Sequence, residues 1–352
     1  MKYGAILVLL VAALLATGCA ETQKALRYTE EGQSRVWPEP PDKARFRYVG
    51  ELTGEDNFKD LNPESAGSKL RGFLKAVVGL GQDRHKDVLQ RPQAGVVDST
   101  GRILVTDAGR QAVFVFDEAN GRLSVWERAM ADANFASPIG IAIAGNGDVL
   151  VADSEHGRVF RLNAKGKPLS SFGFRDLQRP TGLAINPSNQ HVYVADTAEH
   201  NIKVFDETGK LIKIIGKIGS KPGEFNAPTH LAFRDGRLYV TDTFNARIQV
   251  LDENGEFLMS VGERGLFVGN LVRPKGVTVD SEGNIYAIES FHDHLLVYSP
   301  DAQFLLPIGG TGSGIGQFYL PAGAWSDKRD RIYVADMFNG RVVIFQYIPE
   351  YK

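Results

Sequence analysis

The sequence predicts an all-β protein, a closed six-bladed β-propeller with four antiparallel strands per blade. Three observations carry that prediction. One pattern recurs six times, at intervals of 43–47 residues. Glycine is abundant, 38 of 352 residues, and separates many short apolar runs. The last repeat lacks its final strand, while a matching strand stands alone near the N-terminus. A fixed period of this length marks repeat architectures, and radial repetition leaves only short, protected sheet edges.

Each unit opens on a proline: Pro92, Pro138, Pro180, Pro228, Pro274 and Pro321. A short apolar strand, a turn and a second strand follow. The second strands end on carboxylates: Asp107, Asp153, Asp196, Asp242, Glu289 and Asp336. A loop, a third strand, a turn and a fourth strand complete the unit. In the third unit, 182–186 is a short apolar run expected to be an inner strand covered on both faces. Residues 191–196 and 201–206 are expected to alternate between faces. Glu207-Thr208-Gly209-Lys210 is expected to be a hairpin turn with Gly209 at positive φ. Residues 211–216 form the outer strand. The sixth unit ends after its third strand, at 342–347. Arg45-Phe46-Arg47-Tyr48-Val49-Gly50 matches Leu211-Ile212-Lys213-Ile214-Ile215-Gly216, so 45–52 is predicted to be the strand that closes blade six. Closure of this kind removes the free edge between the first and last blades.

Val-Ala-Asp, then Asn or His, Arg five residues after the Asp, and an apolar strand closely resembles the NHL repeat. The clearest copies are 239–252 and 332–345, and six copies stand in register over 91–347. The resemblance implies that the Asp and the Arg are mainly structural. Arg158, Arg247 and Arg341 match the Arg position, whereas Ala112, Asn201 and His294 depart from it. Carboxylates at strand ends accept backbone N–H bonds well, so the repeated Asp residues are expected to cap turns.

Ahead of the repeats lies a different kind of sequence. Lys2 precedes an apolar run over 5–16, which is short for a membrane span and fits a signal peptide over 1–18. Ala16-Thr17-Gly18-Cys19 resembles the lipobox of bacterial lipoproteins, with Ala in place of the usual Leu. Cys19, the only cysteine, is therefore the expected site of lipid attachment, and no internal disulfide can form. Ala20, rather than Asp, favours the outer membrane over the inner. Residues 19–44 are polar and read as a tether, stiffened by Trp37-Pro38-Glu39-Pro40-Pro41. Residues 53–90 read as an insertion. Leu70, Phe73, Leu74, Val77 and Val78 stand at helical spacing within 68–79, opposite Lys69, Arg71 and Lys75. That helix packs on the propeller, lies on a membrane surface or docks into a partner.

A net charge of −2 without a basic cluster in the sequence argues against nucleic acid. No nucleophile elbow, HExxH or EF-hand loop is present. In propellers the loops after the second strands share a face with the loops entering the next blade. That face is the expected binding face, and its candidate residues are His156, His200, Phe244, Asn245, Phe291, His292, Phe338 and Asn339. Phe244, Phe291 and Phe338 hold the same place in three consecutive units. They form either an apolar binding patch or packing against neighbouring blades. His230 stands where the other units place Ala94, Gly140, Gly182, Gly276 and Gly323, beside the channel mouth. It is either a neutral, hydrogen-bonded histidine or a group that binds metal or moves protons. No cofactor is expected. A divalent ion would need His230, His292 and His294 to converge. Asp98 and Asp280 lie at the far ends of their inner strands, in turns. The function expected is an envelope-anchored scaffold, monomeric or part of an envelope complex, that recognises a protein, peptide or glycan. The alternative is a metal-dependent hydrolase or lyase at the channel mouth.

Overall fold

The computed structural model describes residues 24–28, 35–60 and 86–349. The expected signal peptide, Cys19 and the helix expected over 68–79 lie outside the described residues. Six sheets form the ring. Blade 1 comprises Pro92–Val97, Ile103–Asp107, Ala112–Asp117 and Arg122–Trp126, paired antiparallel in chain order. Blades 2 to 5 repeat that meander, and the five inner strands begin at Pro92, Pro138, Pro180, Pro228 and Pro274. Proline suits this position because the first residue of an inner strand needs no ladder N–H. Gly209 has φ of 88° in the expected hairpin turn, and Asp206 Oδ1 caps that turn from Thr208 N and Lys210 N.

The hydrophobic core is divided among the blade interfaces. Six clusters of buried side chains each draw on two neighbouring blades. Between blades 3 and 4, for example, Tyr193, Ala195 and Ile202 meet Phe225, Leu238 and Val240. A strand in the middle of a blade is therefore covered on both faces. Val192–Asp196 and Asn201–Phe205 are buried at every residue, which corrects the expected alternation. Even Lys203 and Gln249, in third strands, are buried.

The ring closes through the N-terminus. Phe46–Leu52 pairs antiparallel with Arg341–Tyr347 and so supplies the missing strand of blade 6. Its register differs from the sequence match. Leu52 faces Val342 as Ile215 faces Ile202, so Leu52 takes the place expected for Val49. Gly50 sits beside a bulge within the strand rather than at its end. Arg341 bolts the closure: Nη1 reaches Glu51 Oε2 at 2.7 Å, Nε reaches Asp336 Oδ2 at 2.8 Å, and the carbonyls of Ser313, Gly314 and Gln317 accept further bonds.

Part of the segment expected to be a tether is built into the fold. Val36–Trp37 adds a fifth strand to blade 6, and Trp37 is buried edge-on against Phe345 at 5.3 Å. Lys24–Leu26 pairs with Phe58–Asp60 in a separate two-stranded ribbon.

At the hub, glycine permits close approach of the inner strands. A Cβ on Gly182 would lie 2.7 Å from Thr229 O and 2.8 Å from His230 Cα. Gly140, Gly276 and Gly323 abut the backbone of the next inner strand in the same way.

Candidate functional site

The carboxylates that end the second strands define one face of the disc. Asp107 accepts from Gln90 N and Arg91 N in the loop entering blade 1, and from Arg110 N in the loop behind its own strand. Asp153 does the same with Ala136 N, Ser137 N and His156 N, and Glu289 with Arg273 N and His292 N. Each of these three carboxylates thus staples the two kinds of loop side by side. The Arg position of the repeat supports this staple: Arg247 Nε reaches Asp242 Oδ2 at 2.9 Å. Arg158 departs from the pattern and lies over the rings of Phe174 and Phe160. Blade 3 reaches the same end differently, with Lys203 Nζ 2.6 Å from Asp196 Oδ2.

Several expected site residues make bonds that hold the loops in place. Asn245 Nδ2 donates to Gly219 O and Asp242 Oδ2, and Asn339 Nδ2 donates to Gly312 O and Asp336 Oδ2. Both amides therefore tie an inter-blade loop to its blade. His156 Nε2 lies 3.0 Å from Asn134 O, with its ring edge-on to Phe160. His200 Nδ1 accepts from Ala227 N at 3.0 Å. His292 Nδ1 lies 3.1 Å from Glu289 Oε2.

The three phenylalanines are different. Phe244, Phe291 and Phe338 are 61%, 55% and 49% exposed. Packing against a neighbouring blade would bury them, so that reading does not hold. Phe338 meets Tyr319, itself half exposed, edge-on at 5.6 Å, and Phe291 meets His292.

A further apolar feature escaped the sequence reading. Three inter-blade loops have equivalent frameworks, closed by the bridges Ile218–Phe225, Arg264–Leu271 and Thr311–Phe318. Their tips read Gly219-Ser220-Lys221-Pro222-Gly223, Gly265-Leu266-Phe267-Val268-Gly269 and Gly312-Ser313-Gly314-Ile315-Gly316. The middle tip replaces Ser-Lys-Pro with Leu-Phe-Val, and these residues are 74%, 83% and 61% exposed. Arg264 holds this loop to the Phe244 loop through Phe244 O. Aligning the inter-blade loops, rather than the strands, was the signal that would have found it.

At the hub, His230 Nδ1 lies 3.2 Å from Thr229 Oγ1, and Nε2 is buried without a partner. Burial, and then the nearby Lys275 charge, hold its pKa down at about 3. Burial also lowers the pKa of His294. The histidine grouping considered for a metal does not form. Among the described residues no three of His, Cys, Asp and Glu come together as ligands. Asp280 is committed to a turn, accepting from Glu282 N, Asn284 N and Tyr286 Oη. Asp98 likewise caps Thr100 and Arg102.

Comparisons with known proteins agree with this architecture. The model for the NHL repeat matches residues 135–162 and 177–205, and a model described as a 6-bladed beta-propeller matches 226–306. Mouse (Mus musculus) NHL-repeat-containing protein 4 is 32% identical over 78 residues, 22% of this chain and 56% of that protein. The chain thus spans little more than half the length of that relative. An auxiliary nutrient binding protein from Bacteroides ovatus superposes with a TM-score of 0.58 at 15% identity, over 74% of this chain and 70% of that one. A streptogramin B lyase superposes with a TM-score of 0.57 at 13% identity, over 94% and 95%. At such identity the likeness concerns the fold alone, and the fold carries both binders and enzymes. The chain is a six-bladed β-propeller built on NHL repeats.

Proposed function

We propose that this propeller is a binding scaffold anchored at the bacterial cell envelope, and that it recognises a protein, peptide or glycan through the face bearing Phe244, Phe291 and Phe338. One observation carries the reading. Six large apolar side chains, these three with Leu266, Phe267 and Val268, are about half exposed or more on loops of that one face. Exposed apolar groups gathered on one face mark interaction sites more often than chance. Aromatic anchors on a rigid support are the usual centre of such interfaces.

The anchoring reading rests on 1–18 and Cys19, with the outer membrane favoured by Ala20. Blocking acylation with Cys19→Ala tests it. The variant should partition into the aqueous phase while the parent protein stays with the membrane.

The metal-dependent alternative is the weaker one, because its ligands do not converge among the described residues. Capture from envelope extracts distinguishes the readings. Wild type should retain a defined partner that the triple variant Phe244→Ser, Phe291→Ser, Phe338→Ser loses. Identical capture by both would remove the aromatic rim from the account.

A further inference from the structure

The N-terminal ribbon fixes where the chain enters the disc. Lys24–Leu26 pairs with Phe58–Asp60, with Lys24 opposite Asp60 and Leu26 opposite Phe58. Arg27 N donates to Asn57 O, and Asn57 Nδ2 returns a bond to Arg27 O at 2.9 Å. Phe58 stacks on Phe116 of blade 1 at 6.2 Å, and Tyr28 Oη accepts from Arg331 Nη1 of blade 6 at 3.0 Å. The ribbon thus lies in the outer wedge between blades 6 and 1. At its open end the Lys24 carbonyl presses on Gly121, where a Cβ would find no room. Gly121 belongs to the turn joining Ala112–Asp117 to Arg122–Trp126, the counterpart of 207–210 in blade 3. The chain therefore reaches the disc at the short hairpin turns, on the face opposite the stapled loops.

Cys19 stands five residues ahead of Lys24. Covalent geometry caps the reach of such a stretch at about 18 Å. The strand Arg122–Trp126 climbs about 17 Å from that same turn toward the loop face. A tether at full stretch therefore reaches only the base of the blade 1 loops. The Leu266–Phe267–Val268 tip is further still. It joins blades 4 and 5, across the ring from blade 1, and four strands about 4.8 Å apart make each blade about 14 Å wide. The apolar side chains divide in the same sense. Among the described residues, the exposed large ones lie on the loop face or on outer strands, and none lies in a turn of the opposite face. A membrane that holds Cys19 thus meets the disc at the blade 1 turn and is out of reach of the aromatic rim.

We propose that the short N-terminal tether orients the disc on its membrane: the outer turn corner of blades 1 and 6 sits at the bilayer, and the loop face bearing Phe267 is turned away from it. The partner of that face is then a macromolecule met in the aqueous compartment, and not the lipid of the anchoring bilayer. The acyl chains supply the membrane affinity, and the ribbon, bonded to both blades, turns a flexible attachment into a defined presentation. This inference rests on the reading of Cys19 as the lipid attachment site.

The test uses the full acylated protein in phosphatidylcholine vesicles that carry a headgroup-labelled acceptor lipid. A donor dye is placed in turn at Ala119→Cys, in the blade 1 turn, at Ala131→Cys, on the blade 1 loop side, and at Phe267→Cys; all three positions are exposed. Energy transfer to the membrane should be strongest from position 119, weaker from 131 and weakest from 267, where a further separation of about 17–30 Å should cut it to about half or less. Inserting about twenty Gly and Ser residues after Ala20 adds about 25 Å of mean reach and should bring the three values together. Flotation of the same samples reports attachment separately. Protein that does not float with the vesicles overturns the anchoring reading and this inference with it. Floating protein in which position 267 or 131 transfers as strongly as 119, or in which the longer tether leaves the order unchanged, overturns the orientation alone.

Discussion

At the scale of single residues, stability rests on groups that join separate parts of the chain. Arg341 is the clearest case, because its guanidinium serves two buried carboxylates and three carbonyls across the ring closure. Removing the guanidinium takes the counter-charge from buried Asp336 and one ion-pair partner from Glu51. Arg341→Met should therefore lower unfolding free energy by about 3–5 kcal/mol, read from urea titration. The sequence pointed to this arginine through its match to the repeat. It could not show that the same residue would also hold Glu51, because that pairing depends on where the N-terminal strand returns. His230 gives a pH signature. Its pKa is held near 3 in the fold, by burial first and Lys275 second, against an ordinary 6.5. Between these values the unfolded chain takes up a proton that the folded chain refuses. Stability should be complete above about pH 6.5 and fall as the pH drops toward 3. His230→Asn should remove that part of the loss, so the urea midpoint should drop less between pH 7 and pH 4 than in wild type. Equal drops would place the titration elsewhere.

At the scale of elements, the repeat made the blades legible and the connections hard to read. The carboxylates, prolines and turn glycines recur because every blade needs the same cap, the same strand start and the same hairpin. The closing strand was also legible, from its likeness to 211–216, but its register was not. The bulge beside Gly50 shifts the pairing by three residues, and a bulge depends on the partner strand. Trp37 was hidden among prolines that suggested only stiffness, yet it is buried against Phe345. Deleting 45–52 strips blade 6 of its outer strand and of Glu51. The melting temperature should fall steeply, and the exposed edge of Arg341–Tyr347 should promote association. An unchanged melting point would contradict closure through this strand.

At the scale of the molecule, the disc presents two unlike faces. One carries the short hairpin turns, such as 207–210. The other carries the stapled loops, the exposed phenylalanines and the Leu266–Phe267–Val268 tip. Strand periodicity located that second face, because loop positions follow from strand order. It could not rank the residues on it. Asn245 and Asn339 resembled binding groups but bond inward, whereas Leu266, Phe267 and Val268 stand outside the repeat pattern and are the most exposed apolar cluster there. Since the three rim phenylalanines are half exposed, changing them to Ser should alter stability by only about 0.5 kcal/mol each. Loss of binding in that variant would then report on the surface and not on the fold.

The most direct measurement places a photoreactive side chain at Phe267 in one protein and at Thr208 in another, then irradiates each in envelope extract. The account predicts a discrete crosslinked product from position 267 and none from position 208. Products from both positions alike, or from 208 alone, would contradict recognition through the loop face.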